Sequence, residues 1–160
     1  MNNKEKYHTV RGYELQKRGQ KLLTHSMEDY LEMIYRTSMK EGYVRMNVLA
    51  QQLNVQVSSA TKMVQKLASV GLVDYKKYGI VHLTDKGKEI GAFLYNRHNI
   101  VLEFLKLLGV EEKILTNTEM IEHGINIHVL KYIDLLNQFF KSHPDIEEKF
   151  KEYKINHNHL

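Results

Sequence analysis

Residues 119–123 read EMIEH, which puts two carboxylates and an imidazole within five positions. On a helix turning ~100° per residue, Glu119, Glu122 and His123 fall inside an arc of roughly 100°, so all three can face one point. Asp29 and Glu32, three apart in SMEDYLEMIY, share a helix face in the same way. His98, in NRHNI, interrupts an apolar stripe. The chain has no Cys, and oxygen and imidazole donors without sulfur suit a hard or borderline divalent ion such as Mn²⁺ or Fe²⁺. Each residue also has a plainer use. Asp29 stands at capping-box spacing from Ser26, and Glu119 at the same spacing from Thr116. His98 reads equally as a satisfied core residue, and His123 as a surface one. Spacing by itself leaves both readings open.

The elements that must position these groups emerge from periodicity and punctuation. HSMEDYLEMIYRTSMKEG reads as a helix capped at Ser26, apolar at Met27, Tyr30, Leu31, Ile34 and Tyr35, and stopped at Gly42. Two short helices come next. The first is capped at Asn47, with Val48, Leu49, Gln52 and Leu53 inward. The second is capped at Ser58, with Ala60, Met63, Val64 and Leu67 inward, and ends at Gly71. Joined by NVQV, they form a helix-turn-helix pattern. LVDYKKYGIVHLT then gives two strands around a turn at residues 76–79, the wing of a winged helix-turn-helix. A long helix runs from a cap at Thr84 or Asp85 to Gly109. After the loop VEEKILTN, the segment TEMIEHGINIHVLKYIDLLNQFF reads as a single further helix. Its apolar positions Ile121, Ile125, Val129, Ile133 and Leu136 exceed what a lone wing domain can cover, which points to a partner helix from a second copy. The single proline, Pro144, comes after the last apolar run and begins a polar tail, in which His157 and His159 are expected to be disordered.

Charge is unevenly placed. Residues 1–25 hold six Lys/Arg against two Glu, and residues 43–90 hold seven against three acids. Residues 26–42 and 91–160 each carry a net −2. Two basic regions alternating with two acidic ones suit a domain that touches a polyanion joined to one with another task. The first twenty residues, MNNKEKYHTVRGYELQKRGQ, are charged and lack the apolar core of a signal peptide. No stretch approaches the ~20 apolar residues needed to span a bilayer, so the expected location is cytoplasmic, with no membrane partner. A Cys-free chain has no disulfide framework.

In a helix-turn-helix the N-terminal half of the second helix meets base edges. Here that surface offers Gln56, Ser58, Ser59, Thr61, Lys62 and Lys66. Gln, Ser and Thr can read bases, and Lys can read guanine or neutralise phosphate. Lys76, Lys77 and Tyr78 at the wing tip suit backbone contact. A winged helix used for protein contact is the competing reading.

In order along the chain, SMEDYLEMIY, SSATKMVQKL, GIVHLTDKGKEIG, YNRHNIVLEFL and IEH resemble the manganese transport regulator (MntR) branch of the diphtheria toxin repressor (DtxR) family, over about residues 26–142. The resemblance implies a homodimeric winged-helix repressor that binds double-stranded operator DNA of metal-uptake genes when loaded with metal. It implies no small organic ligand. It implies two Mn²⁺ per chain, with Fe²⁺ an option. One ion would take Asp29, Glu119, Glu122 and His123; the other would take Glu32, His98, Glu119 and Glu122. Iron-responsive relatives have Met in place of Asp29 and Cys in place of Glu119, so this chain matches the manganese branch. It also ends without the SH3-like domain of the iron branch. The basic extension is outside the pattern, and Gly124 stands where close relatives have a second His.

The expected fold is therefore mostly α. A basic extension (1–25) precedes a winged helix-turn-helix DNA-binding domain (26–93). A helical metal-binding and dimerisation domain (94–142) and a polar tail (143–160) complete the chain. Rival readings are an iron-responsive repressor, a metal-independent regulator and, from another class, a dinuclear-metal carboxylate enzyme. The enzyme reading wants Glu-x-x-His pairs on two helices. Residues 119–122 have Glu where that His belongs, and no second pair appears.

Overall fold

The computed structural model describes residues 23–157, except for the side chains of Lys76 and Lys77. Residues 1–22 of the basic extension, where the spacing of Leu15, Leu22 and Leu23 allows a short amphipathic helix, lie outside the described residues; Leu23 precedes the first described helix. The chain divides into two compact units, residues 1–96 and 97–160.

In the first unit, helix α1 (His25–Ser38) is followed by strand β1 (Val44–Arg45), helix α2 (Met46–Gln52) and helix α3 (Val57–Ser69). Strand β2 (Val73–Lys76), a single 3₁₀ turn (Lys77–Gly79) and strand β3 (Ile80–Leu83) come next. Helix α4 (Asp85–Leu108) begins in this unit and crosses the division. Leu31 and Ile34 of α1, Leu49 of α2, Ala60, Val64 and Leu67 of α3 and Val81 of β3 are wholly buried and form one core. That is the apolar set the 3.6-residue period selects, with corrections at its edges. Gln52 and Val48 are exposed, and Gln52 instead accepts a hydrogen bond from the Thr37 hydroxyl at 2.6 Å.

The caps also differ from expectation. Thr24, not Ser26, caps α1, its Oγ1 accepting from the Met27 N–H at 3.3 Å. Ser26 is already helical, so Asp29 closes no capping box with it. Helices α2 and α3 start at Arg45 and Gln56 without side-chain caps, ahead of Asn47 and Ser58. Thr84 does act as expected: its Oγ1 accepts from Gly87 N–H at 3.0 Å and donates to the Gly71 carbonyl at 2.8 Å.

The sheet has the order β1-β3-β2, with Val44 opposite Val81 and Val73 opposite Leu83. The β2–β3 wing matches the sequence reading. Strand β1 has no signature in the sequence, because two residues cannot display a period of two. At the start of α4 the backbone approaches its neighbours closely. A Cβ at Gly87 would overlap the Leu72 carbonyl oxygen, and one at Gly91 would lie 2.8 Å from the Cβ of Tyr35. Glycine lets this end of α4 seat against the rest of the first unit.

The second unit comprises the end of α4, helix α5 (Ile114–Glu122), helix α6 (Ile127–Ser142) and helix α7 (Pro144–His157). The single helix expected from Thr118 onward is two helices. It starts earlier, at Ile114, inside the expected loop, and breaks at residues 123–126. Asn126 causes the break: its Oδ1 accepts from the N–H groups of His128 (3.0 Å) and Val129 (3.1 Å), starting α6 afresh. Because α5 begins after Lys113, Thr116 is inside it and forms no capping box with Glu119.

Residues 144–157, expected to be tail, are helical. Pro144 opens α7, where its fixed φ and missing N–H cost nothing. Phe150 of α7 meets Phe140 of α6 with ring centroids 5.6 Å apart. Lys154 Nζ donates to the Leu107 carbonyl at 3.1 Å, at the C-terminal end of α4 where carbonyls lack helical partners. His157 belongs to this helix, its ring stacked on Tyr153, which corrects its expected disorder. His159 lies outside the described residues. Among the described residues, no helix is long and apolar enough to cross a membrane.

Candidate metal centre and nucleic-acid interface

His98 projects from α4 into the interior of the second unit and is 6% exposed. Glu122, on the last turn of α5, is 3% exposed. The His98 Nδ1 and the Glu122 Oε2 lie 3.0 Å apart, within hydrogen-bond distance. His123 stands next, at the C-cap of α5, half-buried, with a ligand atom within 4.8 Å of a Glu122 oxygen. A buried carboxylate is rarely kept in a core unless paired or ligating.

The donor set fits a divalent ion. Two donor atoms bound at about 2.1 Å and at right angles lie about 3 Å apart, the spacing of adjacent positions in an octahedral shell. His98 Nδ1 and Glu122 Oε2 already stand at that spacing. A bound ion would displace the proton they share. Glu119, one turn earlier on α5, is exposed, and no contact to the pair is seen among the described residues. The helical arc read from the sequence thus resolves into one buried member, one half-buried and one facing solvent.

In the first unit, Asp29 and Glu32 lie on α1, both half-buried. The Glu32 Oε1 is 3.8 Å from Arg36 Nε, a helical i,i+4 pair. Between them Tyr30 is part of the core, and burial pushes its phenol up.

The candidate nucleic-acid surface is a second feature of the first unit. Helices α2 and α3 are joined through residues 53–56, where Asn54 takes a left-handed conformation (φ 52°) that Asn tolerates well. Gln56, Ser58, Ser59 and Lys62 are exposed on the first half of α3, and Lys66 is exposed farther along it. Thr61 is half-buried and spends its hydroxyl on the Val57 carbonyl at 2.8 Å, which weakens its case as a base reader. Sequence reasoning missed Val57: it opens α3 and is 49% exposed, an apolar side chain of the kind that meets a thymine methyl. Its one sequence signal is its place at the head of the helix. At the wing tip, Tyr78 is 93% exposed and left-handed (φ 72°), followed by Gly79 (φ 73°). The side chains of Lys76 and Lys77 are outside the described residues.

The chain is similar to known proteins along most of its length. A family model described as the iron dependent repressor N-terminal DNA binding domain matches residues 22–81. A second, the iron dependent repressor metal binding and dimerisation domain, matches residues 84–151. The HTH-type transcriptional regulator MntR of Lysinibacillus sphaericus is 41% identical over 84% of this chain and 98% of its own length. The protein of that name from Bacillus subtilis is 44% identical over 75% of this chain and 85% of its own. Among solved structures, a manganese-dependent transcriptional repressor in complex with manganese shares 30% identity at a TM-score of 0.63. It is matched over 71% of this chain and 53% of that one, so this chain spans about half the length of the solved structure. With both domain models in order and relatives matched nearly end to end, the chain belongs to the iron-dependent, or diphtheria toxin, repressor family and to its manganese transport regulator (MntR) branch.

Proposed function

We propose that this chain is a Mn²⁺-activated transcriptional repressor that binds operator DNA of metal-uptake genes as a homodimer in the cytoplasm. The observation that carries the reading is the buried His98–Glu122 pair at 3.0 Å, inside the segment matched by the metal-binding and dimerisation model. In this reading Asp29, Glu32, His98, Glu119, Glu122 and His123 would hold two Mn²⁺ ions, which would supply positive charge against the carboxylates when bound. A coupling of about 1–3 kcal/mol between metal occupancy and DNA binding is enough to act as a switch.

On the DNA side, Gln56, Ser58, Ser59, Lys62 and Val57 face bases. Thr61 contributes packing at the edge of that surface, and Lys66, Lys76, Lys77 and Tyr78 face the phosphate backbone. The dimer reading is supported by α6, where Val129, Tyr132, Leu136 and Phe139 recur at helical spacing and are all at least 40% exposed. Of the surplus face expected from the sequence only Val129 and Leu136 belong to this stripe; Ile121, Ile125 and Ile133 are half-buried, and the inward residues are Leu130 and Asn137. A monomer seldom leaves such a stripe to water.

The test is retention of DNA from upstream of metal-uptake genes, measured with chelator, Mn²⁺, Fe²⁺ and Zn²⁺. Mn²⁺ at saturation is expected to give the tightest binding, and operator DNA to raise Mn²⁺ affinity by the same factor. Equal retention with chelator and with Mn²⁺ rejects the reading. Activation by Fe²⁺ but not Mn²⁺ replaces it with the iron-responsive one.

A further inference from the structure

Among the described residues, Asn137 is one of three buried polar residues of the second unit, with Arg97 and Thr118, that the metal reading does not use. It sits on the inner face of α6, only 4% exposed. Its Nδ2 donates to the Ile100 main-chain carbonyl of α4 at 2.9 Å. The orientation of the amide is fixed by that partner, because a carbonyl can accept only from the NH₂ end. The Oδ1 is then buried and accepts no hydrogen bond from any described residue. An orphaned buried acceptor costs on the order of 1–3 kcal/mol, and an apolar side chain of similar size would avoid that cost. The bond to Ile100 adds little in return, since a helical carbonyl already has an in-helix donor. The best-attested use of such an uneconomical buried amide is to fix helix register.

What that register controls is visible along the chain. Ile100 is two residues beyond His98 on the same continuous helix, so rotation or sliding of α4 against α6 carries the His98 ring with it. Helix α6 is joined to the end of α5, and hence to Glu122 and His123, through only the residues 123–126. One side-chain amide therefore ties the helix bearing His98 to the helix that comes after Glu122. We propose that Asn137 is a positioning residue for the metal centre, holding α4 and α6 in the register at which His98 and Glu122 meet. The inference rests on the manganese reading given above.

The test compares the full-length parent with Asn137→Leu, which keeps the branched shape and heavy-atom count, is somewhat larger and has no polar atoms, and with Asn137→Ser, a smaller side chain. Three quantities are measured: the melting temperature without metal, the Mn²⁺ affinity by calorimetry, and the His98 ring signals by NMR without metal. Asn137→Leu is expected to melt at or above the parent, because the orphaned oxygen is gone. Its Mn²⁺ affinity is expected to fall about tenfold, in the range seen when groups orienting metal ligands are removed. The His98 signals should shift or broaden. A merely structural Asn137 gives the opposite pattern, a lower melting temperature with affinity and His98 signals unchanged. If Asn137→Leu does not fold, Asn137→Ser carries the same comparison. Parent-level Mn²⁺ affinity and unaltered His98 signals in a folded variant overturn the proposal. Failure of the parent itself to bind Mn²⁺ overturns the metal reading instead, so the two failures are distinct.

Discussion

The two units solve the problem of burial in opposite ways. The first encloses its apolar side chains: Leu31, Ile34, Leu49, Val64, Leu67 and Val81 are all at zero exposure, and Ser38 is its one buried polar residue among those described. The second encloses polar groups, with Arg97, His98, Thr118, Glu122 and Asn137 all buried, while Tyr132, Leu135, Leu136 and Phe139 face outward. The first arrangement is sufficient to itself. In the reading proposed above, the second is completed from outside, by cations at its buried carboxylate and by apolar surface against α6. Stability and responsiveness are therefore placed in different parts of one short chain.

Paired substitutions sharpen that contrast. The largest effect is expected at the closed core, where Leu67→Ala should cost about 2–5 kcal/mol in denaturant unfolding. Leu136→Ala on the open face of α6 should change the stability of the isolated protomer by less than about 0.5 kcal/mol. It should instead weaken self-association, measured by sedimentation. Equal losses of protomer stability from the two substitutions would erase the distinction between the units.

Metal should act unevenly as well. Mn²⁺ at a hundred times its dissociation constant is expected to stabilise the parent by about 2.7 kcal/mol, and Glu122→Ala to abolish that increment. Hydrogen exchange should show the added protection centred on α5, the middle of α4 and the Asp29–Glu32 turn of α1. Protection confined to α3 and the wing would contradict the assignment. A smaller effect is expected from Asn126→Ala, which removes the cap that starts α6 and should cost about 1 kcal/mol, read as a drop in melting temperature. The same change should lower Mn²⁺ affinity, because the break at residues 123–126 sets where Glu122 and His123 end α5. The smallest belongs to the DNA surface: Lys66→Ala should reduce the slope of log affinity against log salt by about 0.9, as for a residue that meets a phosphate. An unchanged slope with weaker binding would assign Lys66 to a base.

Much of the first unit is legible in residue order because its elements obey local rules. Met27, Leu31 and Ile34, then Ala60, Val64 and Leu67, recur with the helical period, and Gly42 and Gly71 stop the chain where φ turns positive. The caps are harder to read, since Thr24, Ser26, Asn47 and Ser58 are all competent and only the entry geometry of the backbone chooses among them. In the second unit, Asn126 outcompetes the apolar period that runs on from Ile121 to Leu136, which is why one expected helix is two. The polar composition of residues 144–157 hides a helix held by only a few contacts, Phe150 on Phe140 and Lys154 on the end of α4.

For the site, the sequence determined the chemistry, and tertiary structure decided the company each group keeps. No Cys, with carboxylates and imidazoles at helical spacing, restricts the candidate ions to hard or borderline ones whatever the fold. That His98 meets Glu122 across 24 positions of sequence, while Glu119 faces solvent, is set by how α4 lies against α5. Helical spacing fixes only the direction in which a side chain leaves its own axis. The distance between groups on two helices depends on their packing, and here that packing includes a buried amide, Asn137, whose role no periodicity announces.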